Sequence, residues 1–181
     1  MSIGDTERAT QNRVVDFFRN RDILDYEYLG KLKGEINKNI REDRLRAYLY
    51  LSGYSKKLID GAVTELVRTA DDMTHGLYIA NQEVYRLLKY GAKVRETPES
   101  APQTVYFMDV ENPTNNHFSI AEEVTVVERQ EKRPDLVIYL NGIAVAVIEL
   151  KKKSASVSNG IRQNLTNQRD GFIAPFFTTV K

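Results

Sequence analysis

Cysteine is absent from this chain of 181 residues. Without cysteine there is neither a disulfide framework nor a thiolate metal site, so the zinc-finger class of protein is excluded. Long apolar runs are also lacking: the longest aliphatic run, Ile143 to Ile148, is far too short to cross a bilayer. The opening segment MSIGDTERAT is polar and has no apolar signal segment. We therefore expect a soluble, cytoplasmic protein with no membrane partner.

Neither sign of charge is in excess, because 26 basic and 25 acidic residues leave a net charge of +1. This balance alone does not indicate a nucleic-acid partner, but the distribution of charge is uneven. From Lys151 to the end of the sequence, six basic residues accompany one acidic residue, Asp170, which gives this stretch a charge of +5. Such a stretch could face phosphates, or it could be a solvated lysine cluster that closes an apolar strand.

The first half of the sequence has the 3.6-residue apolar period of helices. With 41% hydrophobic and 28% charged residues, the composition is that of an ordinary globular protein with a core. A cap at Asp5 or Thr6 precedes the first periodic segment, Ser55 precedes another, and Gly91 is suited to end the last one. We predict that residues 1–75 form a helical region that packs on a core domain of residues 76–181.

From about Val94 the apolar period changes to two, which is typical of strands. The segments QTVYFMDV, FSIAEEVTVVER, DLVIYL and IAVAVIEL are rich in Val, Ile, Tyr and Phe, and GIRQNLTNQRDGFI after them can form a helix. This order predicts the α/β (α+β) class. Because the sequence stops at the apolar segment APFFTTVK, we expect it to be a fragment of a longer protein.

One segment, RPDLVIYLNGIAVAVIELKKK, carries charged residues at the open ends of two apolar strands. Asp135 begins the first strand, while Glu149 and Lys151 end the second and project from one face. Two carboxylates, the backbone carbonyl of Leu150 and an ammonium group are the components of a magnesium site. The alternative is a hairpin whose charged ends simply meet solvent, and the pattern alone does not decide between the two.

The Asn141-Gly142 turn sets a geometric condition for a shared site. With a two-residue turn and unbroken pairing, Asp135 would oppose Ile148 and point away from Glu149, because opposed residues share a face. We therefore predict an irregularity of one residue, either a three-residue loop with Gly142 in a bulge or a bulge further along a strand. A regular two-residue hairpin with unbroken pairing would count against the site.

The same segment resembles the PD-(D/E)xK nuclease superfamily. More narrowly, it is similar to the amino-terminal endonuclease domain of type I restriction enzyme R (restriction) subunits. The matching motifs are Pro134-Asp135 and Glu149-Leu150-Lys151 within RPDLVIYLNGIAVAVIELK, preceded by NQEVYRLLKYGAKV and VYFMDVENPTNNHFSIAEEVTV and followed by GIRQNLTNQRDGFIAPFF. The resemblance implies a restriction-endonuclease-like core, which is a mixed β-sheet flanked by helices.

The resemblance also implies a reaction, the Mg²⁺-dependent hydrolysis of DNA phosphodiester bonds. Asp135 and Glu149 would bind the metal together with the Leu150 carbonyl. Lys151 would position or activate water and stabilise the pentavalent phosphate. Glu83, on an upstream helix, is a possible further ligand, although a surface role suits it better.

The helix after the second strand departs from the pattern of the family, in which a Gln-x3-Tyr element usually completes the site. Here Asn167 follows Gln163 at that spacing, and Phe172 follows Gln168, so neither glutamine is accompanied by a tyrosine hydroxyl. Either glutamine could serve. Lys153 and Arg162, together with these two glutamines, are candidate DNA contacts.

The resemblance finally implies partners and a larger protein. Double-stranded DNA would be the substrate, methyltransferase and specificity subunits would recognise the target sequence, and an ATP-driven motor downstream would translocate DNA before sequence-nonspecific cleavage. This chain contains no G-x4-G-K-[ST] phosphate loop, so we expect ATP to bind only the full-length subunit. The alternatives are a related repair or recombination nuclease, or a degenerate module that binds DNA or a partner without cutting. His75 and His117 are assigned to loops or the surface.

Overall fold

The computed structural model describes residues 7–128, 130–150, 157–169 and 171–181, and its architecture is mixed α/β as predicted. The predicted cap at Asp5 or Thr6 lies outside the described residues. No described helix combines the length and apolarity needed to cross a membrane. The elements are α1 (Glu7–Arg19), β1 (Glu27–Lys31), α2 (Glu42–Leu51), α3 (Lys56–Asp71), α4 (Gly76–Tyr90), β2 (Ala92–Val94), β3 (Gln103–Val105), β4 (Phe118–Glu122), β5 (Val126–Val127), β6 (Glu131–Lys132), β7 (Leu136–Leu140), β8 (Ile143–Ile148) and α5 (Val157–Asn167), with short 3₁₀ turns at Pro113–Asn115 and Ala174–Thr178.

The main sheet has four strands in the order β1-β4-β7-β8. Strands β1 and β4 are parallel, with Glu27 opposite Ser119. Strands β4 and β7 run antiparallel, because the backbone bond from Glu123 N to Asp135 O (2.9 Å) pairs later residues of one strand with earlier residues of the other. The sheet is therefore mixed, as the resemblance implies. Two separate two-stranded ribbons are formed by β2 with β3 and by β5 with β6.

Two of the predicted helix ends are confirmed in detail. The side chain of Ser55 caps α3 by accepting a hydrogen bond from the Leu58 amide. Gly91 ends α4 with a φ of 75°, and its amide donates to the Leu87 carbonyl at 2.8 Å. A side chain at this position would meet the Val105 carbonyl at 2.7 Å, so both the backbone angle and the close approach require glycine.

The helical interpretation of the first half is right for α1 to α4 but misses β1. This strand is irregular: its register with β4 shifts between Tyr28 and Lys31, and Gly30 between them has a φ of 81°. A bulge of this kind breaks the alternation by which a strand is recognised in a sequence. Tyr26 directly precedes β1, and its ring stacks on that of Phe118 with 5.0 Å between the ring centroids. This contact fixes the start of β1.

The chain divides into two compact units, each built from separate stretches of sequence. The first consists of Met1–Asn37, Phe118–Tyr139 and Val145–Ala174, and the second of Lys38–His117, Leu140–Ala144 and Pro175–Lys181. The division of the sequence into residues 1–75 and 76–181 remains a prediction, and the compact units draw on stretches from both sides of that boundary.

The core of the first unit is centred on Val15, Ile120 and Leu136, which come from α1, β4 and β7. Ile148 and Leu150 pack against this cluster. The start of β7, the end of β8 and Leu150 are thus attached to a buried core. In the second unit the buried side chains come largely from α2, α3 and α4 and include Leu45, Leu49, Ile59, Val63, Leu66 and Val84.

The tip of the β7/β8 hairpin is a two-residue turn. Only Asn141 and Gly142 separate the two strands, and both have positive φ, 52° and 87°. This is the backbone of a type I′ turn, which matches the twist of the flanking strands and which Asn-Gly favours. The predicted three-residue loop with Gly142 in a bulge is therefore wrong.

Candidate active site at the open end of the hairpin

Both predicted carboxylates lie at the same end of the hairpin, just outside its regular strands. Asp135 directly precedes β7, and Glu149 and Leu150 directly follow β8. The first residue of one strand and the last of its antiparallel neighbour are brought together by the hairpin itself. Because β7 begins at Leu136 and β8 ends at Ile148, strand alternation does not determine the direction of the Asp135 and Glu149 side chains.

A hydrogen bond joins Asp135 to the other strand end despite the two-residue turn. Its carboxylate oxygen Oδ2 accepts from the Leu150 amide at 2.7 Å. The main-chain carbonyl of Asp135 accepts from the Glu123 amide at 2.9 Å and from Gln11 Nε2 at 3.3 Å. Asp135 is half-buried, and both its side chain and its backbone are held in place.

Glu149 is linked to the helix that follows. Its Oε2 accepts a hydrogen bond from Gln163 Nε2, on α5, at 2.7 Å, and its Oε1 is buried. Of the two predicted glutamines, Gln163 thus contacts Glu149, one of the predicted metal ligands. Gln168 lies just beyond the end of α5, and its backbone amide donates to the backbone carbonyl of Asn164 at 3.3 Å.

The remaining predicted residues fall into two groups. Lys151 and Lys153 lie outside the described residues. Arg162 is exposed on α5, the helix that carries Gln163. Asn167, which occupies the tyrosine position of the Gln-x3-Tyr element, is 3% exposed and accepts a backbone hydrogen bond from the Ile173 amide at 3.2 Å.

Glu83 and the two histidines belong to the second unit. Glu83 is exposed on α4 and forms an ion pair with Arg86 at 3.0 Å. His75 lies immediately before α4, and His117 immediately before β4. Within the described residues no cluster of three or more His, Cys, Asp or Glu side chains could hold a metal.

The donors at the open end of the hairpin fit magnesium better than zinc. Asp135, Glu149 and the Leu150 carbonyl offer only hard oxygen ligands, and the chain contains no cysteine. Magnesium is commonly held by one or two carboxylates and keeps several waters or substrate phosphate oxygens. Two carboxylates are consistent with that requirement, whereas a structural zinc site would need four nitrogen or sulfur ligands.

A buried polar network that the sequence analysis missed lies behind Asp135. Glu122, on β4, is 2% exposed, and its Oε2 is bound by Arg8 at 2.5 Å and by Gln11 at 3.0 Å. Its Oε1 accepts from the hydroxyl of Tyr28 at 2.6 Å. Burial, and then the hydrogen bond to Glu122, raises the pKa of Tyr28 to about 12, so the phenol stays a donor. The signal in the sequence that could indicate this network is Glu122 itself, a charged residue at the end of the largely apolar strand FSIAE.

Comparison with known proteins identifies the family. Over 115 residues, which make up 59% of this chain and 11% of the relative, it is 30% identical to the type I restriction enzyme HindI endonuclease subunit of Haemophilus influenzae. Over 94 residues, 48% of this chain and 9% of the relative, it is 31% identical to a protein of Methanocaldococcus jannaschii provisionally named a type I restriction enzyme MjaIXP endonuclease subunit.

The matched stretches thus correspond to about a tenth of the length of these relatives. The family model described as type I restriction enzyme R protein N terminus (HSDR_N) matches residues 5–181, which is nearly the entire chain. The chain therefore belongs to the family of type I restriction enzyme R protein N-terminal domains.

Proposed function

We propose that this chain is the DNA endonuclease domain of a type I restriction R subunit and that it hydrolyses phosphodiester bonds with Mg²⁺. The observation that carries the proposal is the hydrogen bond between the Asp135 carboxylate and the Leu150 amide at 2.7 Å. It attaches the PD aspartate to the backbone of the Glu149-Leu150-Lys151 motif, as a common site requires. The family membership of the chain supports the same assignment.

The roles of the residues follow from their contacts. Bound magnesium would neutralise charge on the scissile phosphate and make water a nucleophile near neutral pH. Asp135 and Glu149 would hold the ion through carboxylate oxygens, and the Leu150 carbonyl would add a third donor. The Leu150 amide holds Asp135 through Oδ2 and would thereby orient this carboxylate for the ion. Gln163 would orient Glu149 by donating to its Oε2.

Lys151 directly follows this set of ligands in the sequence. A lysine ammonium next to the scissile phosphate would stabilise the additional negative charge of the transition state and position the attacking water. The proposal also covers the full-length subunit. There, an ATP-driven motor would deliver DNA, cleavage would be sequence-nonspecific, and methyltransferase and specificity subunits would select the target in the cytoplasm. Lys153, Arg162, Gln163 and Gln168 remain proposed DNA contacts.

A substitution of the lysine tests the proposal directly. In the assembled restriction complex, Lys151→Ala should lower the DNA cleavage rate about 100-fold, because a preorganised charge at the transition state is lost. Lys152→Ala is the matched control, since it removes the same charge one residue further along and should leave cleavage within about threefold of wild type. If both variants cleaved DNA at the wild-type rate, Lys151 would not belong to the site. That result would favour a domain that binds DNA without cutting it.

The contact of Gln163 yields a second test in the same assay. Gln163→Leu removes the donor to Glu149, and loss of a group that orients a metal ligand typically lowers activity by tenfold or more. We expect a roughly tenfold slower cleavage rate, measured at several Mg²⁺ concentrations. Gln168→Leu removes a proposed DNA contact but leaves the hydrogen bond between Gln163 and Glu149 intact, so its effect should be smaller. If the Gln168 variant were the slower one, the glutamine assignment would have to be exchanged.

A further inference from the structure

The network behind Asp135 is built around a carboxylate that is unusually deep for a charged group. Glu122 is 2% exposed, yet three side chains donate to it: Arg8 at 2.5 Å, Gln11 at 3.0 Å and Tyr28 at 2.6 Å. A buried charge of this kind contributes little net stability compared with an apolar side chain of the same volume. Its three directional contacts instead fix the positions of the groups that surround it.

The orientation of the Gln11 amide is set by this carboxylate. An ionised carboxylate only accepts hydrogen bonds, so the amide nitrogen of Gln11, and not its oxygen, must face Glu122. The second hydrogen of the same nitrogen is directed to the main-chain carbonyl of Asp135 at 3.3 Å. Gln11 is 6% exposed, so water has little access to replace either contact.

The carbonyl of Asp135 is thereby held from two elements at once. Gln11 approaches it from α1, and the Glu123 amide approaches it from the end of β4 at 2.9 Å. Fixing this carbonyl fixes the peptide plane that follows Asp135, and this plane contains the Cα atom from which the side chain leaves the backbone. The carboxylate at the other end of the residue is held by the Leu150 amide.

We propose that Gln11, oriented by Glu122, is a positioning residue that directs the carboxylate of Asp135 towards the divalent cation. This inference rests on the proposed function, because it assumes that Asp135 is a metal ligand. Gln11 touches the backbone of Asp135 and not the reacting atoms, so it acts through another residue. Arg8 holds Oε2 of Glu122, the oxygen to which Gln11 also donates, whereas Tyr28 donates to the other oxygen, Oε1. The order therefore passes from Arg8 through Oε2 and Gln11 to Asp135.

A matched pair of variants separates positioning from simple stabilisation. Gln11→Met keeps the volume of the side chain but removes both donors, whereas Tyr28→Phe removes one donor to Glu122 and leaves the contact between Gln11 and Asp135 intact. Binding of Mn²⁺, which takes the same oxygen ligands as Mg²⁺, is measured by electron paramagnetic resonance on the full-length protein without DNA or ATP. Asp135→Ala defines the portion of the binding that depends on this site.

We expect Gln11→Met to weaken the Asp135-dependent binding of Mn²⁺ about tenfold, and Tyr28→Phe to change it by less than about twofold. Thermal unfolding should be affected similarly by the two variants. Unchanged binding in Gln11→Met, or equal weakening in both, would overturn the positioning role. If Gln11→Met does not fold, Gln11→Asn, which keeps the amide but is too short to bridge both acceptors, should show the same weakening. Unchanged binding in Asp135→Ala would instead refute the proposed function itself.

Discussion

Replacement of Glu149 by glutamine is expected to lower the rate of DNA cleavage by the assembled enzyme about a thousandfold, which is the largest loss that we predict for any single substitution in the chain. The change removes one negative charge from a ligand set that contains two carboxylates. A neutral amide oxygen binds a divalent cation much more weakly than a carboxylate does. Glu149→Gln should therefore weaken both the binding of the ion and the neutralisation of the scissile phosphate.

The loss should not arise from unfolding, because the substitution preserves the local contact. Glu149 accepts a hydrogen bond from Gln163 Nε2 through Oε2. A glutamine at position 149 can accept the same hydrogen bond through its carbonyl oxygen, since the two side chains have the same length and shape. The thermal midpoint of Glu149→Gln should accordingly stay close to that of the wild type. A purely structural glutamate would show the opposite pattern, with unchanged cleavage.

The assay is plasmid cleavage by the reconstituted complex, with ATP hydrolysis measured in parallel to report on the motor. Glu131→Gln provides the control, because Glu131 lies on β6 with its side chain 58% exposed and the substitution removes the same charge. Cleavage by the control should match that of the wild type. Wild-type cleavage by Glu149→Gln would contradict the nuclease assignment. ATP hydrolysis at the wild-type rate would show that the motor of each variant is intact.

Local signals in the sequence were sufficient to predict much of the fold. Helices α3 and α4 have a strong apolar period and a boundary residue with a definite physical role: Ser55 offers a side-chain acceptor at the start of α3, and Gly91 adopts a positive φ at the end of α4. The pairing of β7 with β8 was equally predictable, because the two apolar runs flank the Asn-Gly turn signal. These features depend on residues that are close together in the chain.

The details of the hairpin show how an argument from function can override a stronger local signal. Asn-Gly favours a two-residue type I′ turn, and the structure has that turn. A longer loop is required only if regular pairing extends to Asp135 and Glu149. In the structure the strands stop one residue short of both, and the Asp135 side chain reaches across to the Leu150 amide. A bulge further along either strand remains a prediction.

Long-range contacts set the limit of the sequence analysis. The network around Glu122 joins residues separated by more than 100 positions, since Arg8 and Gln11 lie 114 and 111 residues before it. Neither residue has a distinguishing local pattern, because polar side chains on α1 look the same whether they face solvent or a buried carboxylate. Strand β1 was missed for a related reason: its partner, β4, is distant in sequence, and its bulge obscures the alternation.

The largest loss of stability that we predict follows from the substitution Gly142→Ala. A Cβ atom at this position would lie 2.7 Å from the Arg41 carbonyl oxygen, 2.9 Å from Arg44 Cβ and 3.0 Å from the Leu45 amide nitrogen. Two of these three atoms belong to the backbone and cannot move aside as a flexible side chain would. The contact would also displace the hydrogen bond from the Arg41 amide to the Gly142 carbonyl, which is 2.8 Å long.

The backbone angle adds to this steric cost. Gly142 has a φ of 87°, and an L-residue in that region costs roughly 1–2 kcal/mol. With the displaced hydrogen bond and the clash, we expect a loss of about 4 kcal/mol in the free energy of unfolding, measured by urea denaturation. That loss is a large part of the 5–15 kcal/mol, roughly, that stabilises a typical domain.

Gly53→Ala separates the two contributions, because it carries the backbone cost without the clash. Gly53 belongs to the same compact unit as Gly142 and has nearly the same φ, 88°, but a Cβ atom there would meet nothing within 4 Å. We expect Gly53→Ala to lose only about 1 kcal/mol. If the two variants lost equal stability, the close approach of Arg41 to the turn would not be maintained in solution. A large excess for Gly142→Ala would show that the hairpin tip is held by packing against the start of α2, in addition to its own turn geometry.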